Sequence, residues 1–153
     1  MSGARFSVHT TLERAIVIAA EAHADKVDKA GAPYLLHVLR VMMAMTTVEE
    51  RIVATLHDVV EDCPEWTLDR IQSEGFSETI VTALDSVTKR SDEAGNNGYF
   101  AFVQRAGFNP IGRKVKLADL RDNLNLTRLR TLTQSDFDRT QKYCRALEIL
   151  EEM

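Results

Sequence analysis

Disulfide chemistry has almost no raw material in this chain. Its 153 residues contain two cysteines, Cys63 and Cys144, which form no CxxC and are too few for a disulfide framework. The expected compartment is therefore a reducing cytoplasm, with both as ordinary thiols. No apolar run reaches the length of a membrane span, and the N-terminus lacks the apolar stretch of a signal peptide, so no membrane role is expected. A basic surplus is missing as well. Lys and Arg number 19 against 23 Asp and Glu, and the net charge of −4 argues against a nucleic-acid partner bound through a basic surface. No segment alternates with period two for long enough to be a strand. There is no repeat, low-complexity tract or obvious linker. What remains is 44% apolar and 27% charged, the make-up of a soluble globular protein, and residues 1–153 read as a single domain.

Helices account for nearly all of it. Thr11 is an N-cap for a helix to about Asp25, with Ile16, Ala19, Ala20 and His23 at helical spacing. Gly31-Ala32-Pro33 breaks the chain. Tyr34 to Met45 is apolar nearly all round, which predicts a central, buried helix. Val48 to Asp62 reads as one helix with Ile52, Val53, Leu56, Val59 and Val60 on its apolar face. Pro64 ends it, and Thr67 to Glu74 is a short helix closed by Gly75. Ser77 caps a helix to Thr88. Lys89 to Gly98 is polar and contains Gly95-Asn96-Asn97-Gly98, which predicts a mobile loop before a short helix over Tyr99 to Ala106. Asn109 caps the next, with Pro110 at its first position, running to about Leu126. Ser135 or Asp136 starts the last, which ends near Leu150. The fold class is all-α, a compact multi-helix bundle.

One stretch stands apart, His57-Asp58-Val59-Val60-Glu61-Asp62. At ~100° per residue, its His and three acids fall on an arc of ~140°, and each of His57 and Asp58 has an acidic partner at i+4. The plain alternative is a solvated acidic face. His37 lies on the most apolar helix; taken alone, it reads first as a core histidine satisfied by a hydrogen bond, and second as a ligand. Asp119 sits between Val115, Leu120 and Asn123, where an unpaired carboxylate is costly. It needs a cation, either a metal or a Lys or Arg partner. His37, His57, Asp58 and Asp119 together would make an N₂O₂ donor set suited to a divalent metal.

In the order Ala22-His23, Gly31-x-Pro33-Tyr34-x-x-His37, His57-Asp58-x-x-Glu61-Asp62, Val87-Thr88-Lys89 and Val115-Lys116-Leu117-Ala118-Asp119-x-x-x-Asn123, the chain resembles the HD-domain metal-dependent phosphohydrolases. It is most similar to the hydrolase domain of the RelA/SpoT-type alarmone enzymes and their small single-domain relatives, from about Leu12 to Leu150. The resemblance implies an HD-type bundle in which His37, His57, Asp58 and Asp119 bind one Mn²⁺-like ion. It implies that Glu61 and Asp62 orient or deprotonate the attacking water, and that Lys89 and Asn123 line a nucleotide pocket. The chemistry agrees: a metal lowers the pKa of a bound water, and a carboxylate one turn away accepts its proton. Lys26, Lys29, Lys89, Arg90 and Arg121 are candidates to neutralise phosphate. Tyr34 and Tyr99 are candidates to meet the base or ribose, with plain core packing the alternative for Tyr99. His23 is read as structural, and His9 is assigned nothing.

The chain departs from that family after His23. Where the family commonly has Gly-Gln and then an Arg that helps hold the purine, Asp25-Lys26 and Asp28 stand here. A carboxylate at residue 28 reverses the charge at the pocket edge, so weak or no activity on ppGpp is expected, and better activity on a nucleotide whose base or sugar offers donors. The expected function is metal-dependent hydrolysis of a nucleotide phosphate, with (p)ppGpp 3′-pyrophosphohydrolysis one form of it. The alternatives are phosphate removal from a nucleoside monophosphate or NADPH, and a non-catalytic nucleotide-binding protein. The partner is thus a small-molecule nucleotide, with room left for a homo-oligomer.

Overall fold

Side-chain caps start most of the helices. The computed structural model describes residues 11–153; His9 lies outside them. Nine α-helices and one 3₁₀ turn follow one another among the described residues, with no strand: α1 Leu12–Ala22, α2 Leu35–Met43, α3 Val48–Leu56, α4 Val59–Asp62, α5 Leu68–Ser73, α6 Glu78–Ser86, α7 Gly95–Gly107, α8 Pro110–Asn123, the turn Leu126–Arg128, and α9 Gln134–Glu151. Thr11, Thr67, Ser77 and Asn109 each accept a backbone N–H of the first turn of α1, α5, α6 and α8. Thr47 with Glu50 and Thr133 with Asp136 form reciprocal capping boxes at α3 and α9. The last helix therefore starts at Thr133, earlier than Ser135, and Asp136 serves as the box's acidic partner.

α3 is the central helix. Ile52 to Leu56 are all buried on it, and it packs between α1 and α2. The larger core gathers Ile18, Val38, Val53, Leu56, Ile71 and Leu84, among others. A smaller one joins Phe102 and Val103 of α7, Leu117 and Leu120 of α8, and Ala146 and Leu150 of α9. α8 bridges the two, because its Val115 belongs to the first.

Three expectations are corrected. The helix read over Val48 to Asp62 is broken at His57-Asp58, which form a turn between α3 and α4. α2 buries His37, Val38, Val41 and Met42 but leaves Leu36 and Met43 exposed, so it is one-sided; scattered exposed apolar residues are ordinary. The polar Gly95-Asn96-Asn97-Gly98 is the first turn of α7, not loop. Gly98 approaches the Glu93 backbone so closely that a Cβ would lie 2.4 Å from the Glu93 carbonyl carbon. Glu93 is buried and ion-paired to Arg105 at 2.7 Å, which pins the segment before the helix.

Candidate functional site

The break in the α3–α4 run places the site. His57 ends α3 and Asp58 precedes α4, so the dyad sits where the chain turns, facing α2 and α8. The buried His37, His57 and Asp119 converge from three helices, and one donor atom of each lies within 4.8 Å of the others. Asp58 reaches the same point, its Oδ2 3.0 Å from His57 Nε2 and 3.8 Å from His37 Nε2.

The state of the two imidazoles decides whether this set fits a metal. His57 Nδ1 lies 2.6 Å from the Ala54 carbonyl oxygen, and His37 Nδ1 lies 2.6 Å from Asp122 Oδ2. Both partners are acceptors, so each Nδ1 carries a proton and each Nε2 is free to present a lone pair inward. The two Nε2 atoms are buried and make no hydrogen bond. They face the carboxylates of Asp58 and Asp119, at 3.2 Å for His37 Nε2 and Asp119 Oδ1. Lone pairs buried against carboxylate oxygens call for a shared cation, and two nitrogens with two carboxylates suit a divalent ion. Burial works to lower both imidazole pKa values. The Asp119 carboxylate beside His37, and the charge of Asp58 first at His57, outweigh it and raise them.

The carboxylates are held as tightly. Tyr34 Oη donates to Asp58 Oδ2 at 2.5 Å. Asn123 donates to Asp119 Oδ1 at 3.0 Å, and Lys116 Nζ to Asp119 Oδ2 at 2.8 Å. Burial would raise the Asp119 carboxyl, but the Lys116 ammonium and the two imidazoles hold it well below the usual carboxylate range. The two readings of Asp119, metal donor and lysine partner, are therefore compatible, one on each oxygen.

Two adjoining cavities open from this centre. One, about 290 Å³, is lined by Asp58, Glu61, Asp62, Lys89, Lys116 and Lys142, among others. The second, about 380 Å³, runs past Asp28, Lys29, His37, Arg128 and Arg139. Tyr34, Asn123 and Tyr143 line both. A larger hollow of about 480 Å³, between Arg40, Glu50 and Lys114, meets the second cavity at Asp122 and Asn125; its cations are already paired, Arg40 with Asp122, Lys114 with Glu50 and Arg121 with Glu151.

Glu61 stands at the rim, and its Oε1 accepts the Lys89 backbone N–H at 2.5 Å. Partial desolvation, followed by the charge of Asp58, raises the pKa of both Glu61 and Asp62. Lys89 and Tyr99 line the smaller cavity, Asp28 and Lys29 the larger. Tyr99 also packs edge-on to Phe100 and Phe102, so its two readings coexist. Lys26 lines neither; its Nζ turns to the Asp62 carbonyl oxygen at 3.4 Å. Arg90 pairs with Asp85 and Arg121 with Glu151, and neither lines the two cavities at the centre. Asp28 is not a free carboxylate, because its Oδ1 accepts the N–H groups of Ala30 and Ala32 at 2.9 and 3.0 Å. It closes the turn in which Gly31 has φ +85°. His23 is buried against Tyr34, ring centroids 5.1 Å apart, and burial lowers its pKa to about 4. It is a neutral packing residue.

Sequence reasoning passed over Asp122, Lys116, Arg128, Arg139, Lys142 and Tyr143. Lys116 stands three residues before Asp119, a spacing that marks a helical pair. Arg139, Lys142 and Tyr143 share one face of α9 at i, i+3 and i+4. Nothing local marks Asp122, which meets His37 across the fold.

The chain is 31% identical over 123 residues to the guanosine-3′,5′-bis(diphosphate) 3′-pyrophosphohydrolase of Aquifex aeolicus, a match covering 74% of this chain and 17% of that protein. It is 32% identical over 82 residues to the Vibrio cholerae protein of the same name, covering 51% and 11%. It is 35% identical over 85 residues to a probable GTP pyrophosphokinase of Mycobacterium leprae, covering 51% and 10%. A solved structure described as a metazoan ortholog of SpoT that hydrolyzes ppGpp superposes with a TM-score of 0.76 at 22% identity, over 91% of this chain and 84% of that one. The chain resembles the HD-domain, RelA/SpoT type. No protein-family model matches it. The match spans only 10–17% of the lengths of its curated RelA/SpoT relatives. The all-helical bundle expected for this type is the observed one, and the His/Asp cluster is a divalent-metal site in kind. No helix of the described residues is long and apolar enough to cross a membrane.

Proposed function

We propose that the chain is a cytoplasmic, Mn²⁺-dependent 3′-pyrophosphohydrolase of ppGpp, carried by one HD-type domain. His37, His57, Asp58 and Asp119 would hold the ion, which when bound would polarise a phosphoryl oxygen and lower the pKa of a water. Glu61 or Asp62 would take a proton from the attacking water, a role suited to carboxyls whose pKa is raised above its ordinary value. The water's oxygen would attack the phosphorus bonded to the 3′ oxygen, that P–O bond would break, the 3′ oxygen would take up the proton held by the carboxyl, and GDP and pyrophosphate would leave. Tyr34 holds Asp58 in place, and Lys116 and Asn123 do the same for Asp119.

The observation that carries the substrate assignment is the arrangement of cations. Lys142 has its pKa lowered by burial and then by Lys89, Arg139 and Lys116. Lys29 has its own lowered by burial and then mainly by Arg139. Cations crowded together in partly desolvated places call for a polyanion. Lys89 and Lys142, which have no ion pair among the described residues, stand beside the metal donors, and Lys29 in the adjoining cavity, while Lys116, Arg128 and Arg139 add positive charge that Asp119, Asp122 and Asp136 already partly balance. A nucleotide with phosphates at both ends of its ribose fits this better than one with a single phosphate. Of the reversed charge at Asp28, one oxygen is held by its own loop, and Lys29 and Arg139 line the same cavity. That the homologues are named ppGpp hydrolases supports the same reading.

The test is turnover by Mn²⁺-loaded protein on ppGpp, GDP, GMP and NADPH. We expect ppGpp to be cleaved to GDP and pyrophosphate faster than the others. Preference for NADPH or a monophosphate would overturn the substrate, and no turnover of any would overturn the enzyme reading.

A further inference from the structure

His37 and His57 face the same centre but are held from behind by different groups. His57 Nδ1 donates to a neutral backbone carbonyl, that of Ala54. His37 Nδ1 donates to a carboxylate, Asp122 Oδ2, at 2.6 Å. That carboxylate is itself clamped. Arg40 Nε donates to Asp122 Oδ1 at 2.7 Å and an Arg40 Nη to Oδ2 at 3.1 Å. Arg128 donates to the Asp122 backbone oxygen at 3.0 Å and lies 3.4 Å from Oδ2. Asp122 is one turn of α8 from Asp119, so one helix supplies both a metal donor and the group behind another donor. Arg40 is on α2, one turn after His37.

We infer that Asp122 is a positioning residue for the metal centre. It fixes His37 with Nδ1 protonated and Nε2 inward, and Arg40 keeps its carboxylate aimed at the ring. Without Asp122, the imidazole can rotate or take the other tautomer, and its Nε2 lone pair no longer meets those of His57, Asp58 and Asp119. Partners of this kind behind a ligating histidine typically change metal affinity or activity by ~10–100-fold. Arg40 has a second effect. It neutralises Asp122, so the centre gains orientation without a further full negative charge. Asp122→Asn keeps an oxygen that can accept from Nδ1 but also offers an N–H₂ that can turn to the ring. Arg40→Met leaves the carboxylate but frees it to swing. The inference rests on the metal-site reading given above.

The experiment titrates Mn²⁺ into wild type, Asp122→Asn and Arg40→Met, read by electron paramagnetic resonance of free Mn²⁺. The visible spectrum of the Co²⁺-loaded forms is recorded alongside, and circular dichroism of each metal-free protein checks the fold. We expect Kd to rise ~10–100-fold in Asp122→Asn and by less in Arg40→Met, with an altered Co²⁺ spectrum and unchanged helicity. Turnover of both should recover at high Mn²⁺, with KM for nucleotide near wild type. If Asp122→Asn does not fold, Arg40→Met carries the test alone. Wild-type Kd and an unaltered Co²⁺ spectrum in every folded variant would overturn this inference while leaving the metal site standing. Failure of wild type to bind Mn²⁺ would overturn both.

Discussion

At the scale of the residue, the proposed site separates groups that would hold the ion from groups that would react. His37, His57, Asp58 and Asp119 are buried or nearly so and are each held from behind, by Asp122, Ala54, Tyr34 and Lys116 with Asn123. Glu61 and Asp62 are at the exposed rim, on the far side of the turn from α3. Removing charge at the rim should therefore leave the ion in place. Glu61→Gln and Asp62→Asn are expected to lower kcat by ~10²–10⁴-fold while metal content, by elemental analysis, stays at the wild-type level. Wild-type turnover in both would remove these residues from the reaction.

At the scale of the element, α3 carries the site, and its start is under unusual control. Glu50 Oε2 accepts from Thr46 and Thr47, and Oε1 takes Lys114 of α8 at 2.6 Å. One carboxylate thus caps α3 and ties it to α8, the helix that brings Asp119. The Lys114 ammonium, then the amides of Thr46 and Thr47, hold the Glu50 pKa at about 2 against an ordinary 4.5. A lowered carboxyl pKa stabilises the fold above the unfolded value, and that contribution fades as pH falls from 4.5 towards 2. Glu50→Gln should cost about 1 kcal/mol at pH 7, or about 2–4 °C in Tm, the low figure reflecting solvent around Lys114. The gap between wild type and variant should close across that acid window, and thermal melts at stepped pH would show it; a gap constant with pH would mean that the charge of Glu50 does nothing. Elements of this kind were largely readable in advance. Thr11, Ser77 and Asn109 announce helix starts because capping is a local matter of one side chain and one turn. The break at His57-Asp58 was not readable, since nothing in Val48 to Asp62 lacks helical propensity; packing against α2 and α8 imposes it. α7 was misjudged for a related reason: its Gly-Asn start is polar and weakly helical, but the close seat of Gly98 on Glu93, held by Arg105, overrides propensity. The four proposed donors drew attention in the sequence because histidine and aspartate beside apolar residues are locally odd. Asp122 and the α9 cations look like ordinary surface charge until the fold brings them inward.

For the whole molecule, the metal donors sit on α2, on α8 and in the turn after α3, so a bound ion ties together helices that draw on both cores. An ion that binds only the folded chain stabilises it by mass action, about 2.7 kcal/mol at a hundred times Kd, which corresponds to about 5–10 °C in Tm. We expect that rise on adding Mn²⁺ to wild type and its loss in Asp58→Ala. An equal rise in both would place the ion elsewhere.

The donors are also far apart along the chain, from His37 through His57 to Asp119. They meet only once α8 has docked on α2 and α3, so the ion arrives after the long-range closures have been made. A ligand absent from the transition state changes the rate of escape from the native state, not the rate of approach. In stopped-flow experiments Mn²⁺ should leave refolding at its metal-free rate and slow unfolding by the full factor of its stabilisation. Acceleration of refolding would mean that the donors come together early. The ion's effect would then be one of lifetime. A chain that has lost it would fold as readily as before and open far more often.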